Sequence, residues 1–141
     1  MSQNSENLVR AAFAAWNSRG PAAFLAYTSG DILLEDPPEQ PDREQWIGRD
    51  AVSKRLEEMS ATTGGRWVDI EDVRAIGDRL LVVLDWRRGN SLDAPLLASI
   101  YFLIEADDAQ ISSVRVFLEE RAAIEAALEH VGGPAEGGDG A

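Results

Sequence analysis

Apolar and polar positions alternate with two different periods along this chain. Leu8, Val9, Ala12, Phe13 and Trp16 fall on one stripe at helical spacing, with Asn7, Arg10 and Asn17 off it. That pattern predicts a helix over 5–19, capped by Ser5 or Asn4. Asn17-Ser18-Arg19-Gly20-Pro21 ends it, and Pro21 suits the first turn of a short second helix, 21–28, carrying Phe24, Leu25 and Tyr27. Ser29-Gly30-Asp31 reads as a turn. Ile32-Leu33-Leu34-Glu35-Asp36 reads as a strand over 31–36, stopped by Pro37 and Pro38. Residues 37–47 read as a loop, polar apart from Trp46 and Ile47. Val52, Leu56 and Met59 predict a third helix over 48–60, ended at Thr62-Thr63-Gly64-Gly65.

The second half reads as strands. They are predicted over 66–76, 80–88, 96–106 and 111–118, with turns at Gly77-Asp78, Gly89-Asn90-Ser91 and Asp107-Asp108. Ala122, Ile124, Ala127 and Leu128 predict a closing helix over 119–130. Residues 131–141, with five glycines and a proline, read as a disordered tail, so one domain is expected over 1–130. Helices first and hairpin-linked strands later argue an α+β fold, a curved antiparallel sheet wrapped by helices. Leu80–Leu84 and Ile100–Ile104 are apolar at both parities, whereas a strand wet on one face alternates. Both faces are therefore expected to be covered, one by helices and the other by a second copy. Ile100, Phe102, Arg115 and Phe117 are the residues expected in or near that homodimer contact.

Composition narrows the classes of function. A chain of 141 residues is long enough for one sizeable core. It has no cysteine, which excludes disulfides and thiolate metal sites. The net charge of −12 argues against nucleic acid and anionic membrane partners. No apolar run approaches a membrane span and no secretory leader is evident, so a soluble cytoplasmic protein is expected. With one histidine, His130, a histidine relay or multi-histidine metal site is not expected. The acidic positions Asp69, Glu71 and Asp72 alternate with apolar ones and read as a solvated strand face.

Asp36 is the main chemical candidate. Pro37 pushes it out of helical space and into the last extended position of an apolar strand. It reads either as a general base in an apolar pocket or as a strand end bonded to the following turn. Tyr101, in an apolar strand, needs a partner for its hydroxyl and reads either as a donor to a ligand carbonyl or as a core hydrogen bond. Trp86 is expected to face inward as pocket wall, with Arg88 guarding the mouth; the opposite parity would bring in Asp85 and Arg87. Phe13 and Trp16 serve core and pocket together, Trp46 reads either as a lid or as a residue buried in a dimer contact, and Val114, Val116 and Leu118 are expected along the pocket floor.

Several strings, taken together and in order, carry a family resemblance. They are Glu35-Asp36-Pro37, Gly48-Arg49-Asp50-Ala51-Val52, Val73-Arg74-Ala75-Ile76-Gly77-Asp78 and Glu120-Arg121-Ala122-Ala123-Ile124. Over residues 5–130 the chain resembles the SnoaL-like group of the nuclear-transport-factor-2-like superfamily, which includes ketosteroid isomerase. The resemblance implies a cone-shaped fold, three N-terminal helices and a strongly curved, mostly antiparallel sheet enclosing a pocket, often dimeric through the sheet's outer face. The isomerase's base is an Asp in a Glu-Asp-Pro string, which Asp36 matches. Its two oxyanion donors fall at Ala12 and Tyr101, and a supporting tyrosine at Leu56, so only the base is kept, with Tyr101 a replacement donor. The Asp-Arg-Asp set of limonene epoxide hydrolase is incomplete, since its last carboxylate falls near Val116. The activity this resemblance implies is that of a cofactor-free isomerase or cyclase acting on a small apolar carbonyl compound through Asp36 and Tyr101. The pocket would be lined by Phe13, Trp16, Trp46, Leu56, Trp86, Arg88, Val116 and Leu118. The alternative is a non-catalytic binding module or dimeric scaffold built on the same pocket.

Overall fold

In the computed structural model, which describes residues 3–63 and 67–131, the two periods become helices and one sheet. The side chains of Thr63, His130 and Val131 lie outside that description. So do the expected helix stop at Gly64-Gly65, Arg66 as the start of a strand, and the glycine-rich tail after Val131. Helix α1 spans Gln3–Arg19 and is followed by a 3₁₀ helix, Pro21–Tyr27. Strands β1 (Thr28–Glu35) and β2 (Gln45–Ile47) precede helix α2 (Arg49–Thr63). Strands β3 (Val68–Ile76), β4 (Arg79–Arg87), β5 (Leu96–Ala106) and β6 (Ile111–Phe117) lead to helix α3 (Glu120–Val131).

The fold is mixed α+β, and its six strands form one curved, unclosed sheet in the order β2-β1-β6-β5-β4-β3. Strands β1 and β6 pair in parallel; the other neighbours are antiparallel. Three local expectations change. Ser5 lies inside α1 and is buried, so it does not cap that helix. Ser29-Gly30-Asp31 is strand, not turn, and its irregularity shows as a register shift against β6 between Thr28 and Leu33. Residues 45–47 are strand, not loop: Leu33, Leu34 and Glu35 of β1 pair with Ile47, Trp46 and Gln45. Gly48 then turns the chain from β2 into α2 at φ 94°, a conformation in which a side chain would be strained. Its amide donates to the carbonyl of Ile32 at 2.8 Å, which ties the start of α2 to β1.

Strand parity divides the apolar residues into two cores. On the inner face, Leu80, Val82, Leu84 and Trp86 of β4 meet Ile100, Phe102 and Ile104 of β5 and Val114 and Val116 of β6. Val9, Ala12, Phe13, Trp16, Phe24, Val52 and Leu56 close over them from the helices. On the outer face, Leu81, Leu103 and Phe117 pack under Ala123, Ala126 and Ala127 of α3, with Tyr101 and Ile76 at the edge. The chain's own closing helix thus covers the second face where a second copy was expected. The apolarity of β4 and β5 at both parities has that cause. Ile100 and Phe102 point into the inner core and lie outside any contact across the outer face. Among the described residues no helix is long and apolar enough to cross a membrane.

Candidate functional site

The site grows from the last inward positions of β1. Side chains alternate across a strand, so Ile32, Leu34 and Asp36 share the inner face. Ile32 and Leu34 are fully buried in the core, and Asp36 is the next step along the same side. Its amide donates to the carbonyl of Glu44 at 3.0 Å, which extends the pairing with the returning chain one residue beyond the strand. Pro37 then stops the ladder, having no N–H to give. The carboxylate is thereby held facing inward with its side chain only 4% exposed.

Helix α2 supplies its partner. Arg55, Met59 and Thr62 recur at helical spacing and project toward the end of the sheet. Arg55 Nε donates to Asp36 Oδ1 at 3.1 Å, and the amide of Glu44 donates to Oδ2 at 3.3 Å. The guanidinium lies over the ring of Trp46, 4.8 Å from its centroid, and reaches Glu58 at 3.6 Å. Arg55 is therefore held by a carboxylate, an aromatic face and a second, exposed carboxylate. Glu58 is not part of the lining of the adjoining cleft, whose charged residues are Asp36 and Arg55.

Between these elements is a cleft of about 250 Å³. Asp36, Pro37, Gln40, Arg55, Met59 and Thr62 form one side; Trp86, Ile100, Val116 and Leu118 form the floor and the opposite side. Trp86 faces inward and is fully buried. Asp85 and Arg87 are on the outer face, where Arg87 Nε pairs with Asp69 at 2.8 Å and Ser99 Oγ donates to Asp85 at 3.2 Å.

Of the expected residues, Asp36, Trp86, Val116 and Leu118 line this cleft. Phe13, Trp16 and Leu56 are at most 1% exposed and belong to the core behind it. Three expected members are elsewhere. Tyr101 is on the outer face of β5, since Ile100 and Phe102 take the inward parity, so its hydroxyl cannot reach a ligand beside Asp36. Arg88 follows the end of β4, is exposed, and its amide is tied to the carbonyl of Pro95 at 2.9 Å. It is not part of the cleft lining. Trp46 is not a lid over the cleft; it is a residue of β2 that backs Arg55. Sequence reasoning missed Arg55. Its signal was its place three residues after Val52 and four before Met59, on the edge of the apolar stripe of α2.

Among the described residues no group of three or more His, Cys, Asp or Glu could hold a metal ion. No curated protein is significantly similar to this chain in sequence. Among solved structures, a nuclear-transport-factor-2-like protein of unknown function from Mesorhizobium loti is 19% identical, with a TM-score of 0.63 over 84% of this chain and 93% of that one. A protein of ketosteroid isomerase-like fold from Catenulispora acidiphila, in complex with trimethylamine, is 16% identical, with a TM-score of 0.64 over 86% and 92%. TerC, co-crystallised with polyporic acid, is 16% identical, with a TM-score of 0.63 over 90% and 99%. At these identities the likeness is one of fold. The sequence itself matches the SnoaL-like domain over residues 9–114, from the first helix to the last strand, and the chain belongs to the SnoaL-like domain family.

Proposed function

We propose that this chain binds a small, mostly apolar molecule bearing one polar group, with the polar end at Asp36 and Arg55. The observation that carries this is a nearly buried ion pair on the wall of a mostly apolar cleft. Few precisely placed polar groups in a concave apolar setting are what orient a small ligand. Arg55 offers donors and Asp36 offers acceptor capacity, so a carbonyl finds a donor on Arg55 and a hydroxyl finds a partner on either. Native mass spectrometry of the purified protein, followed by Asp36→Asn and Arg55→Gln, tests the reading. A co-purified small molecule lost from both variants supports it; a molecule retained at full occupancy by both removes the pair from the site.

A second reading, proton transfer, is favoured by the 3.1 Å separation of Asp36 and Arg55. Asp36 would take a proton from a carbon beside a ligand carbonyl. The C–H electron pair would pass to the carbonyl oxygen, where an Arg55 N–H would stabilise the charge. Arg55 here does what Tyr101 was expected to do. Both Asp36 oxygens already accept one hydrogen bond, and each keeps a further lone pair for the proton. Deuterium uptake beside the carbonyl of the bound molecule is the assay. Asp36→Asn should slow it by about 100-fold or more with affinity changed only a few-fold. Equal uptake in both proteins leaves binding alone.

The second copy expected from the sequence keeps one support, the exposed Leu96 at the start of β5. It loses another, because α3 occupies the apolar part of the outer face. Sedimentation at micromolar concentration tests it; a 15.4 kDa species alone removes it.

A further inference from the structure

The interior of the sheet's curve is filled with aromatic rings rather than left open. Phe13 sits 5.1 Å from Phe24 and 5.7 Å from Phe102, centroid to centroid. Trp16 meets Phe24 edge-on at 5.9 Å and Trp86 edge-on at 5.5 Å. All five rings are at most 1% exposed. The edge-to-face geometry is the favourable one for aromatic pairs, so the cluster is a packed plug.

Trp86 is the one ring of this cluster that also lines the cleft. On one side it touches the cleft space; on the other, Trp16. We infer that Trp86 sets the size of molecule the cleft accepts, and that the ligand buries no more than about two fused rings. The inference rests on the cleft being a binding site, as proposed above. The physical argument is one of space. A cleft of about 250 Å³ falls below the ~300–1,000 Å³ of pockets that enclose drug-sized ligands. A four-ring molecule placed with its polar end at Asp36 would keep its far rings in water, since the way inward ends on the Trp86 indole. Rings left in water add nothing to affinity, because the gain follows the apolar area removed from solvent.

The other walls do not have this role. Leu118 is 45% exposed at the rim, so trimming it opens the cleft toward water and not inward. Arg55 and Asp36 fix the polar end. Trp86 is the cleft-lining ring that meets Trp16 edge-on, so a smaller side chain there joins the cleft to the space now held by the plug.

The test is a ¹H–¹⁵N NMR titration with two ketones, 2-decalone and androstenedione, watching the amides of Asp36, Gln40, Ile100 and Val116. In the unaltered protein the four-ring ketone should bind no more than about threefold tighter than the two-ring one, since the added rings stay wet. Trp86→Ala should raise that ratio to about tenfold or more, with new shifts at Phe13 and Trp16. Trp86→Leu, a milder truncation, should move it the same way and serves if the alanine variant does not fold. A ratio of tenfold or more already in the unaltered protein overturns the inference while leaving the binding site standing. So does a ratio unmoved by both Trp86 variants. If neither ketone shifts the cleft amides in any variant, the binding reading fails, and the inference falls with it.

Discussion

Removing Arg55 should cost more stability than neutralising the carboxylate it holds. Asp36 has a side chain 4% exposed, whereas Arg55 is 21% exposed. In Arg55→Met the carboxylate keeps only the Glu44 amide, at 3.3 Å, and remains nearly cut off from water. Breaking a fully buried pair costs about 3–5 kcal/mol; with the arginine side partly wet, about 2–3 kcal/mol is expected. In Asp36→Asn the amide oxygen still accepts a hydrogen bond. The guanidinium keeps the Trp46 face, the Glu58 contact and some water. That change should cost about 1 kcal/mol. The double variant is the decisive arm. Without a charge at position 36 the missing guanidinium matters less, so Asp36→Asn added to Arg55→Met should restore about 1 kcal/mol or more. Urea unfolding followed by tryptophan fluorescence reads all three, and each kcal/mol should appear as about 3–5 °C in melting temperature. If Asp36→Asn proves the costlier single change, or the double variant costs the sum of the two, the pair is not a nearly buried one and the reasoning fails.

Further predictions concern the rest of the fold. Phe117→Ala should lower stability by about 3 kcal/mol at every protein concentration, because α3 of the same chain covers that ring; a loss that grows on dilution would point to a subunit contact instead. The Glu71 carboxyl is raised above its ordinary 4.5, first by a hydrogen bond with Asp85 and then by the charge of that neighbour. The folded state thus holds this proton more tightly than the unfolded chain, and the penalty exists above the folded value and fades as pH falls through 4.5. Glu71→Gln should therefore raise the melting temperature at neutral pH and leave it unchanged in acid, and no gain at neutral pH would contradict the pairing. Asp107 is lowered from 3.8 because its Oδ1 accepts from the amides of Ala109 and Gln110 at 2.7 and 2.8 Å. Its contribution is full above 3.8 and lost as pH falls through the lower folded value. Asp107→Ala should accordingly weaken the β5–β6 turn at neutral pH and much less in strong acid, as hydrogen exchange of the Gln110 amide would report.

Local rules decided much of this protein before any contact was known. The apolar stripe of α1, the hairpin turns at Gly77-Asp78 and Asp107-Asp108, and the proline stop after Asp36 all act within a few residues. Parity along β1 and β6 is likewise local, so the inward direction of Asp36, Val116 and Leu118 was legible. What stayed illegible depends on which face of a strand meets which element. On β5, residues 100–104 are apolar at every position, so no alternation marks a side, and the fold reverses the expected placing of Tyr101 inward and Ile100 outward. The two-sided apolarity suggested a second copy because nothing in the local pattern says that α3 returns across the outer face. Strand β2 is three residues long in a stretch rich in proline, and only its pairing with β1 makes it a strand. Arg55 looked like one more charge on a helix. It became part of the site because Gly48 ties the start of α2 to β1, which brings that edge of the helix against the end of the strand. A nearly buried ion pair needs both partners in place, and the two lie 19 residues apart in the chain. Only the tertiary fold sets that distance, because no local preference acts across it.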